Sequence, residues 1–396
     1  MHTVVNNDVN VLVSGASVAG LSTAWWLAHF GFRVTVVEQA PYLRPGGQAL
    51  DVRGPALEVA ERMGILSRLR DRSTRLHGVS AVNAEGQEIF RSTERTFTGG
   101  RFDSPDIEIL RDDLCSVLHE AVRNRVEFLF VERVAAVTHD EMGVDVAFVK
   151  AAPRRFELVI GADGLYSGIR RLVFGPDRQF LRFVGQLIAV FSAPNFLGLD
   201  HWQVFYAEGD IGGLVLATDK DAEARVYLGF STAELPEYDY RDVTAQKRLI
   251  AERLAGGGWE LPRLLTQMWD APDFYFYATN QVLMDSWSRG RVALVGDAGY
   301  SVSPATGQGT TVAMVGAYVL AGELVAHKPA LVAGLGRYES ELRDYVLRNQ
   351  ELAFSMSDAA LHETPAGQSA RPDRAAHAGE LPDFGQVVLP FALKSY

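Results

Sequence analysis

Continuous apolar runs mark both ends of the chain, and alternation marks its middle. Val9–Val13 is a short buried-strand run, followed by GASVAG (Gly15–Gly20), the apolar stretch LSTAWWLAHFG to Gly31, and RVTVVE over Arg33–Glu38. This order predicts strand, helix and strand within about 30 residues, a β-α-β unit. Pro41–Gly54 is too rich in Gly and Pro for regular structure. GPALEVAERMGILSRLRDRS carries Leu57, Ala60, Met63 and Leu66 at three-residue spacing and predicts a helix. Gly78–Phe97 alternates enough for short strands. IEILRDDLCSVLHEAV predicts a strand ending at Arg111 and then a helix, and VEFLF, VAAVTHD, GVDVAFV and RRFELVI follow as strands joined by turns.

From about Phe174 to Val282 alternating strands dominate, interrupted by a polar helical segment at Val243–Leu254. At GRVALVGDAGY the buried-strand texture returns, leading through SVSPATGQG into an apolar helix at Thr310–Val325. A last amphipathic helix is marked by Leu335, Tyr338, Leu342, Tyr345 and Val346, and residues 363–383 read as an Ala-, Pro- and Gly-rich loop. The expected fold class is α/β, with a β-rich insert between two parts of one nucleotide-binding unit. The boundaries are 1–173 (with small inserted strands near 75–105), 174–282 for the insert, 283–330 for the second part, and 331–396 for the C-terminal helix and tail.

Composition narrows the function classes. With 396 residues, 47% of them hydrophobic and 22% charged, the chain can bury a large core. Thirty-eight Lys and Arg against 49 Asp and Glu give a net charge of −11, which argues against a nucleic-acid backbone binder. One cysteine, Cys115, excludes an intrachain disulfide and a Cys-rich metal site. Its place in the helical pattern of DDLCSVLHEAV makes it a packed position. No signal peptide is visible, and the apolar stretch Thr311–Ala326, broken by Glu323, falls short of the ~18–20 residues of a membrane span. The expectation is a cytoplasmic protein with no membrane or nucleic-acid partner and no metal.

Three motifs carry chemistry. GASVAG between strand and helix makes a sharp turn, lets backbone approach a pyrophosphate, and presents a helix N-terminus to it. Ser17 stands where the second glycine is usual, and Glu38 ends the second strand 23 residues after Gly15, placed to accept ribose hydroxyls. GADG (Gly161–Gly164) and GDA (Gly296–Ala298) each follow an apolar strand, and strand C-terminal ends line the ligand crevice of open α/β sheets. SPATGQG then precedes a helix start, which can stabilise negative charge. Plain turn chemistry would also explain Asp163 or Asp297 singly.

The set GASVAG…VVE, GGQALDVRG, ILRDDL, GADG and VGDA–SPATGQG resembles the group A flavin-dependent aromatic monooxygenases, FAD enzymes of para-hydroxybenzoate-hydroxylase architecture. Within them, GGQALDVRG, NFLGLDH, PDFYFYATNQV and GRVALVGDAGYSVSPATGQG look most similar to the tetracycline-inactivating branch. The resemblance implies a Rossmann-like FAD domain of the GR2 type with an inserted substrate sheet and C-terminal helices. It implies that Gly15, Ser17, Ala19 and Gly20 hold the FAD pyrophosphate, Glu38 and Gln39 the adenosine ribose, and Arg44 the NADPH. Gln48, Asp51, Arg53 and Arg111 would contact flavin. Asp163 and Gly164 would face both nucleotides, Asp297 the ribityl chain, and Pro304, Gly307, Gln308 and Gly309 the isoalloxazine. Arg44 and Arg53 also read as solvated loop arginines, and Arg111 as a partner of Asp112 or Asp113.

The chemistry implied is FAD reduction by NADPH or NADH, addition of dioxygen to give a flavin hydroperoxide, and oxygen transfer to a phenol or enol. No catalytic residue is singled out. Candidate substrate contacts are Val190, Phe191, Phe205 and Tyr227 on the insert, with Pro304 and Ala305, although aromatics on alternating strands also serve as core. Val190 and Tyr227 stand where the tetracycline-inactivating relatives carry polar contacts, which points to a related but different polycyclic substrate. The role would be antibiotic inactivation or natural-product tailoring by a monomer. A reductase or dehydrogenase of the same fold, without oxygen insertion, is the alternative.

Overall fold

The computed structural model describes residues 9–94, 101–219, 221, 223–239, 241–361 and 389–396, with the backbone alone at Ala305 and at 353–361. The predicted loop at 363–383 lies outside the described residues.

The opening unit folds as β1 (Asn10–Ser14), α1 (Val18–His29) and β2 (Arg33–Glu38), with β1 and β2 parallel. These strands join a six-stranded sheet in the order β17 (Ser288–Arg289), β18 (Val292–Leu294), β11 (Leu158–Gly161), β1, β2, β7 (Glu127–Phe130). All neighbours are parallel except β17 and β18. Both faces are covered, which explains the unbroken apolar runs. Val11, Val13, Val34 and Val36 face α1, α4 (Arg111–Val122), α9 (Gly309–Ala326) and α10 (Leu331–Leu361). Leu12, Val37, Val159 and Leu294 face a small sheet of β8 (Val134–His139), β9 (Val144–Phe148) and β10 (Arg154–Phe156), with α5 (Gly168–Val173) beside it. The GDA turn carries α8 (Asp297–Tyr300).

The second body is a seven-stranded sheet in the order β16 (Tyr275–Val282), β12 (Leu181–Pro194), β15 (Glu223–Ser231), β14 (Ile211–Ala217), β13 (Trp202–Glu208), β4 (Gly78–Val82), β5 (Glu88–Ser92). One face packs under α6 (Val243–Arg253) and α7 (Leu261–Asp270) through Leu187, Ala189, Phe191, Val204, Leu228, Ile250, Leu264 and Met268. The other face looks toward the nucleotide-binding unit.

Several expectations are corrected. The stretch Pro41–Gly54 is not wholly irregular: Ala49–Val52 is a strand, β3, paired with β6 (Ile107–Leu110). The single helix expected from Gly54 is two, α2 (Pro55–Arg62) and α3 (Leu66–Asp71), broken at Gly64 with φ +69°. The strands near 75–105 belong to the seven-stranded sheet, because β4 pairs in parallel with β13. Helix α7 was not foreseen. Helix α9 is 18 residues, long and apolar enough to cross a membrane, but its window is 83% buried inside the protein. Cys115 is buried on α4, as expected.

Candidate functional site

The C-terminal ends of β1, β11 and β18 converge on one crevice. Gly15 donates its N–H to Val37 O at 2.8 Å, and a Cβ on Gly20 would lie 1.9 Å from Gly15 O, so only glycine lets α1 start so close to the turn. Ser17 is the N-cap of α1 but makes no side-chain bond to the helix, leaving its first N–H groups open to an anion. The Ser17 hydroxyl sits 3.4 Å from Arg111 Nη1 instead. Glu38 accepts N–H groups from Ala16 and Ala40, each at 2.9 Å, which fixes its carboxylate beside the turn; Gln39 next to it is exposed. Ala19 lies close against the GDA turn, since a Cβ on Gly296 would lie 2.8 Å from the Ala19 methyl.

Asp163 accepts from Ser167 Oγ and from Ile169 N, so it anchors the start of α5, and burial raises its carboxyl pKa. Gly164, with φ +80°, has open space above its Cα. Asp297 combines two properties: desolvation raises its pKa, yet its side chain is accessible. Both hold for a carboxylate deep in the molecule that lines a crevice. Arg170, fully buried, ties the two motifs together by donating to Leu165 O and to Ala298 O at 2.9 Å. Sequence reasoning missed Arg170; the signal available was an arginine in the apolar turn that follows GADG.

The loop before β3 closes the crevice toward the sheet. Arg111 does not pair with Asp112 or Asp113. Its Nη2 donates to Arg44 O at 2.8 Å and to the Tyr275 hydroxyl at 3.3 Å, and its backbone N–H to Gln48 O at 3.0 Å. The Arg44 side chain is exposed at the rim. Asp112 instead accepts the Gly46 N–H at 2.8 Å, and Arg225 on β15 pairs with Asp273 at 2.9 Å. Arg53 is not a solvated loop residue: it is buried, 2.9 Å from Asp51 and 3.7 Å from Asp106. Gly307 takes φ +64°, and a Cβ there would lie 3.0 Å from Asp51 Oδ2, so the turn at Pro304–Gly309 rests on Asp51. Pro304 is exposed, Gln308 is buried at the N-cap of α9, and Gly309 begins that helix; the side chain of Ala305 is not described.

The residues fit a dinucleotide. Among the described residues, Arg111 Nε and Gln308 Oε1 are buried without a hydrogen-bond partner. Two long helices, α1 and α9, begin there without side-chain caps. Polar groups in that state call for a ligand or water.

The face of the seven-stranded sheet toward this loop is a row in register: Phe205 opposite Leu214, Leu214 opposite Tyr227, Tyr227 opposite Val190, and Val190 opposite Tyr275. In the next row Gly212 faces Gly229, and the missing side chains leave a cavity of about 250 Å³ lined by Gln186, Ile188, Phe205, Leu214, Tyr227 and Ser231. Asp210 is the charged residue on its wall. The Tyr227 hydroxyl accepts the Ala49 N–H at 2.6 Å, joining the cavity wall to β3. Phe191 is a correction: it is fully buried on the opposite face under α6 and α7, because neighbours on a strand point to opposite sides. Val190 is on the cavity's face but is not part of its wall.

A carboxylate unnoticed in the sequence lies between loop and cavity. Glu108 on β6 is directly opposite Asp51 on β3. Burial and then the Asp51 charge push the Glu108 pKa up to about 7, and burial pushes Asp51 to about 6 against the pull of Arg53.

Comparison with known proteins gives the cofactor as FAD. The family described as FAD binding domain matches residues 8–352. An uncharacterized protein of Mycobacterium tuberculosis (strain ATCC 25618 / H37Rv) is 52% identical over 86% of this chain and 92% of its own. A flavin-dependent monooxygenase of an unknown prokaryotic organism is 39% identical over 94% of this chain and 98% of its own. The crystal structure of tetracycline destructase Tet(55) superposes with a TM-score of 0.86 at 35% identity, covering 99% of this chain and 100% of that one. The chain belongs to the FAD-binding family of flavin-dependent monooxygenases, next to the tetracycline destructases.

Proposed function

We propose that this monooxygenase uses NADPH or NADH and dioxygen to hydroxylate a polycyclic phenol or enol held against the seven-stranded sheet. The observation that carries this reading is the apolar cavity at Phe205, Leu214 and Tyr227, joined through the Tyr227–Ala49 hydrogen bond to the strand that bears Asp51. Its volume is about 250 Å³, and its wall is mostly apolar, as in small-molecule sites.

Bound FAD supplies the redox chemistry: it accepts hydride and activates dioxygen. The chain's own residues hold, orient and dry that centre. Gly15–Gly20 and the start of α1 take the pyrophosphate through backbone N–H groups, and Glu38 takes the ribose hydroxyls. Asp297, deep in the crevice, would accept from the ribityl hydroxyls. With FAD bound, the open N–H groups at the start of α9 would favour negative charge on its ring. Arg111 sits beside Ser17 and the loop carbonyls, where its charge favours the anionic cofactor. Arg44 at the rim is placed for the phosphates of NAD(P)H. The apolar wall keeps water from the reacting centre.

Tet(55) is a tetracycline destructase by its description, and tetracycline-type inactivation is one form of this proposal; tailoring of a related polyketide is the other. The partner is a small molecule, taken up by a cytoplasmic monomer. The test is turnover of NADPH with a panel of polycyclic phenols, followed by product mass. Gain of one oxygen atom supports the reading, and NADPH consumption with unaltered phenol and only hydrogen peroxide contradicts it.

A further inference from the structure

We propose that Glu108 and Asp51 form a proton-sharing carboxylate pair that supplies the proton consumed in each oxygen insertion. The inference rests on the proposed function and deepens it, since oxygen insertion with NAD(P)H takes up one proton per turnover. RH, dioxygen, NAD(P)H and a proton become ROH, NAD(P)+ and water. The O–O bond breaks, one oxygen atom forms the new C–O bond, and the other leaves as water. Hydride supplies two electrons and the C–H bond two more. The proton lost from Glu108 ends in that water and is regained from solvent.

Geometry places the pair. Asp51 and Glu108 are cross-strand partners on one face of the β3–β6 ladder, where opposite side chains stand about 4.5–5.5 Å apart at Cβ. Like charges in that position repel, so the pair favours one shared proton. Among the described residues, the groups that face it are these. Arg53 pairs with Asp51 and reaches toward Asp106; Thr74 donates its hydroxyl to Glu108 Oε1 at 3.0 Å; the Gln203 side chain bonds Glu108 from β13; and the Tyr227 hydroxyl on β15 feels its charge. Three carboxylates therefore share one guanidinium, and the direct hydrogen-bond partners of Glu108 are neutral. Thr74 is 2% exposed and Gln203 6%, so the side of Glu108 that meets them is closed to water, while Glu108 as a whole is half-buried. Burial and the Asp51 charge hold the Glu108 carboxyl well above its ordinary value, in the range where a proton can be both kept and given.

The position also fits. On one side Asp51 meets the turn at Gly307, where the isoalloxazine contacts are expected. On the other side Gln203 stands two residues before Phe205 on the same strand, and Tyr227 lines the cavity. Glu108 is therefore a positioning and proton-holding residue between the two ligands. A merely structural Glu108 would brace Thr74 and Gln203 and nothing more.

The test uses FAD-loaded wild type, Glu108→Gln and Glu108→Asp. The carbonyl stretch of a protonated carboxylic acid is followed by infrared difference spectroscopy between pH 6 and pH 9. Each protein is then reduced with dithionite and mixed with aerated buffer, where, without a phenol, reduced flavin, dioxygen and one proton give oxidised flavin and hydrogen peroxide, so that one proton is drawn here as well, and the return of flavin absorbance is timed across the same range. The expected result is an acid band that fades toward pH 9 in wild type and is missing from Glu108→Gln. Reoxidation should slow about a hundredfold in Glu108→Gln, with its pH step lost and with the step restored in Glu108→Asp. A wild-type pH step that survives in Glu108→Gln, or an infrared band unaffected by the substitution, overturns the proposal. Failure of the proposed function shows differently: product analysis finds no oxygen insertion, while the infrared band, which needs no turnover, still decides the pair.

Discussion

Replacing Tyr227 by Phe removes one oxygen atom from the seam between the nucleotide loop and the seven-stranded sheet. That oxygen accepts the Ala49 N–H at 2.6 Å between two half-buried residues, and desolvation pushes the Tyr227 hydroxyl pKa upward. The ring and its packing remain, so the cost is that of an unsatisfied, partly buried amide, at most about 1–3 kcal/mol. Unfolding entropy of about 2.1 cal/mol/K per residue gives roughly 0.8 kcal/mol/K for a chain of this size. The melting midpoint should then fall by about 1–4 °C. Strand β3 also carries Asp51 on the cofactor side, so FAD should dissociate about tenfold faster if 1.4 kcal/mol of that loss is felt by the holo state alone. Differential scanning calorimetry of apo and FAD-loaded protein, with flavin fluorescence to time release, measures both. A variant with unchanged midpoint and unchanged release would refute the idea that this bond couples the two bodies.

Three further outcomes are expected. Asp297→Ala should weaken FAD retention by about 1.5–3 kcal/mol through loss of a charged acceptor, read by flavin titration of apoprotein. Phe191→Ala should destabilise the fold by about 3–5 kcal/mol without altering flavin spectra on phenol binding, whereas Phe205→Ala should change the spectra more than the stability. Glu108 binds its proton more tightly when folded, about 7 against an ordinary 4.5. Between those values the unfolded chain holds fewer protons, so stability falls as pH rises through that window and levels above it. Urea melts at pH 5 and pH 8 should show Glu108→Gln recovering on the order of 2 kcal/mol relative to wild type at the higher pH.

The first β-α-β unit was legible because its signals are local: an apolar run, a glycine turn that permits close approach, and an acid at the next strand end. The motif glycines and aspartates of the crevice were legible for the same reason. Strand β3 was hidden, because four residues inside a Gly- and Pro-rich stretch become a strand only by pairing with β6 nearly sixty residues away. The break between α2 and α3 was masked by apolar spacing that continues through Gly64. Alternation along LIAVFSA shows that Val190 and Phe191 face opposite ways, but not which side holds α6 and α7; that needs the register with β15. Glu108 reads in IEIL as the outward position of an amphipathic strand, and only the register of β6 with β3 sets it opposite Asp51. Arg225 and Asp273 are likewise close through pairing across β12, β15 and the start of β16, which no local pattern encodes.

The central claim is oxygen insertion on a polycyclic phenol or enol. The direct measurement is turnover of the FAD-loaded protein with NADPH under oxygen-18 gas, followed by mass analysis of the phenol. The account predicts a product carrying one labelled oxygen atom and formed in step with NADPH oxidation. Labelled hydrogen peroxide with unaltered phenol across the panel, or a product oxidised without label, would contradict it.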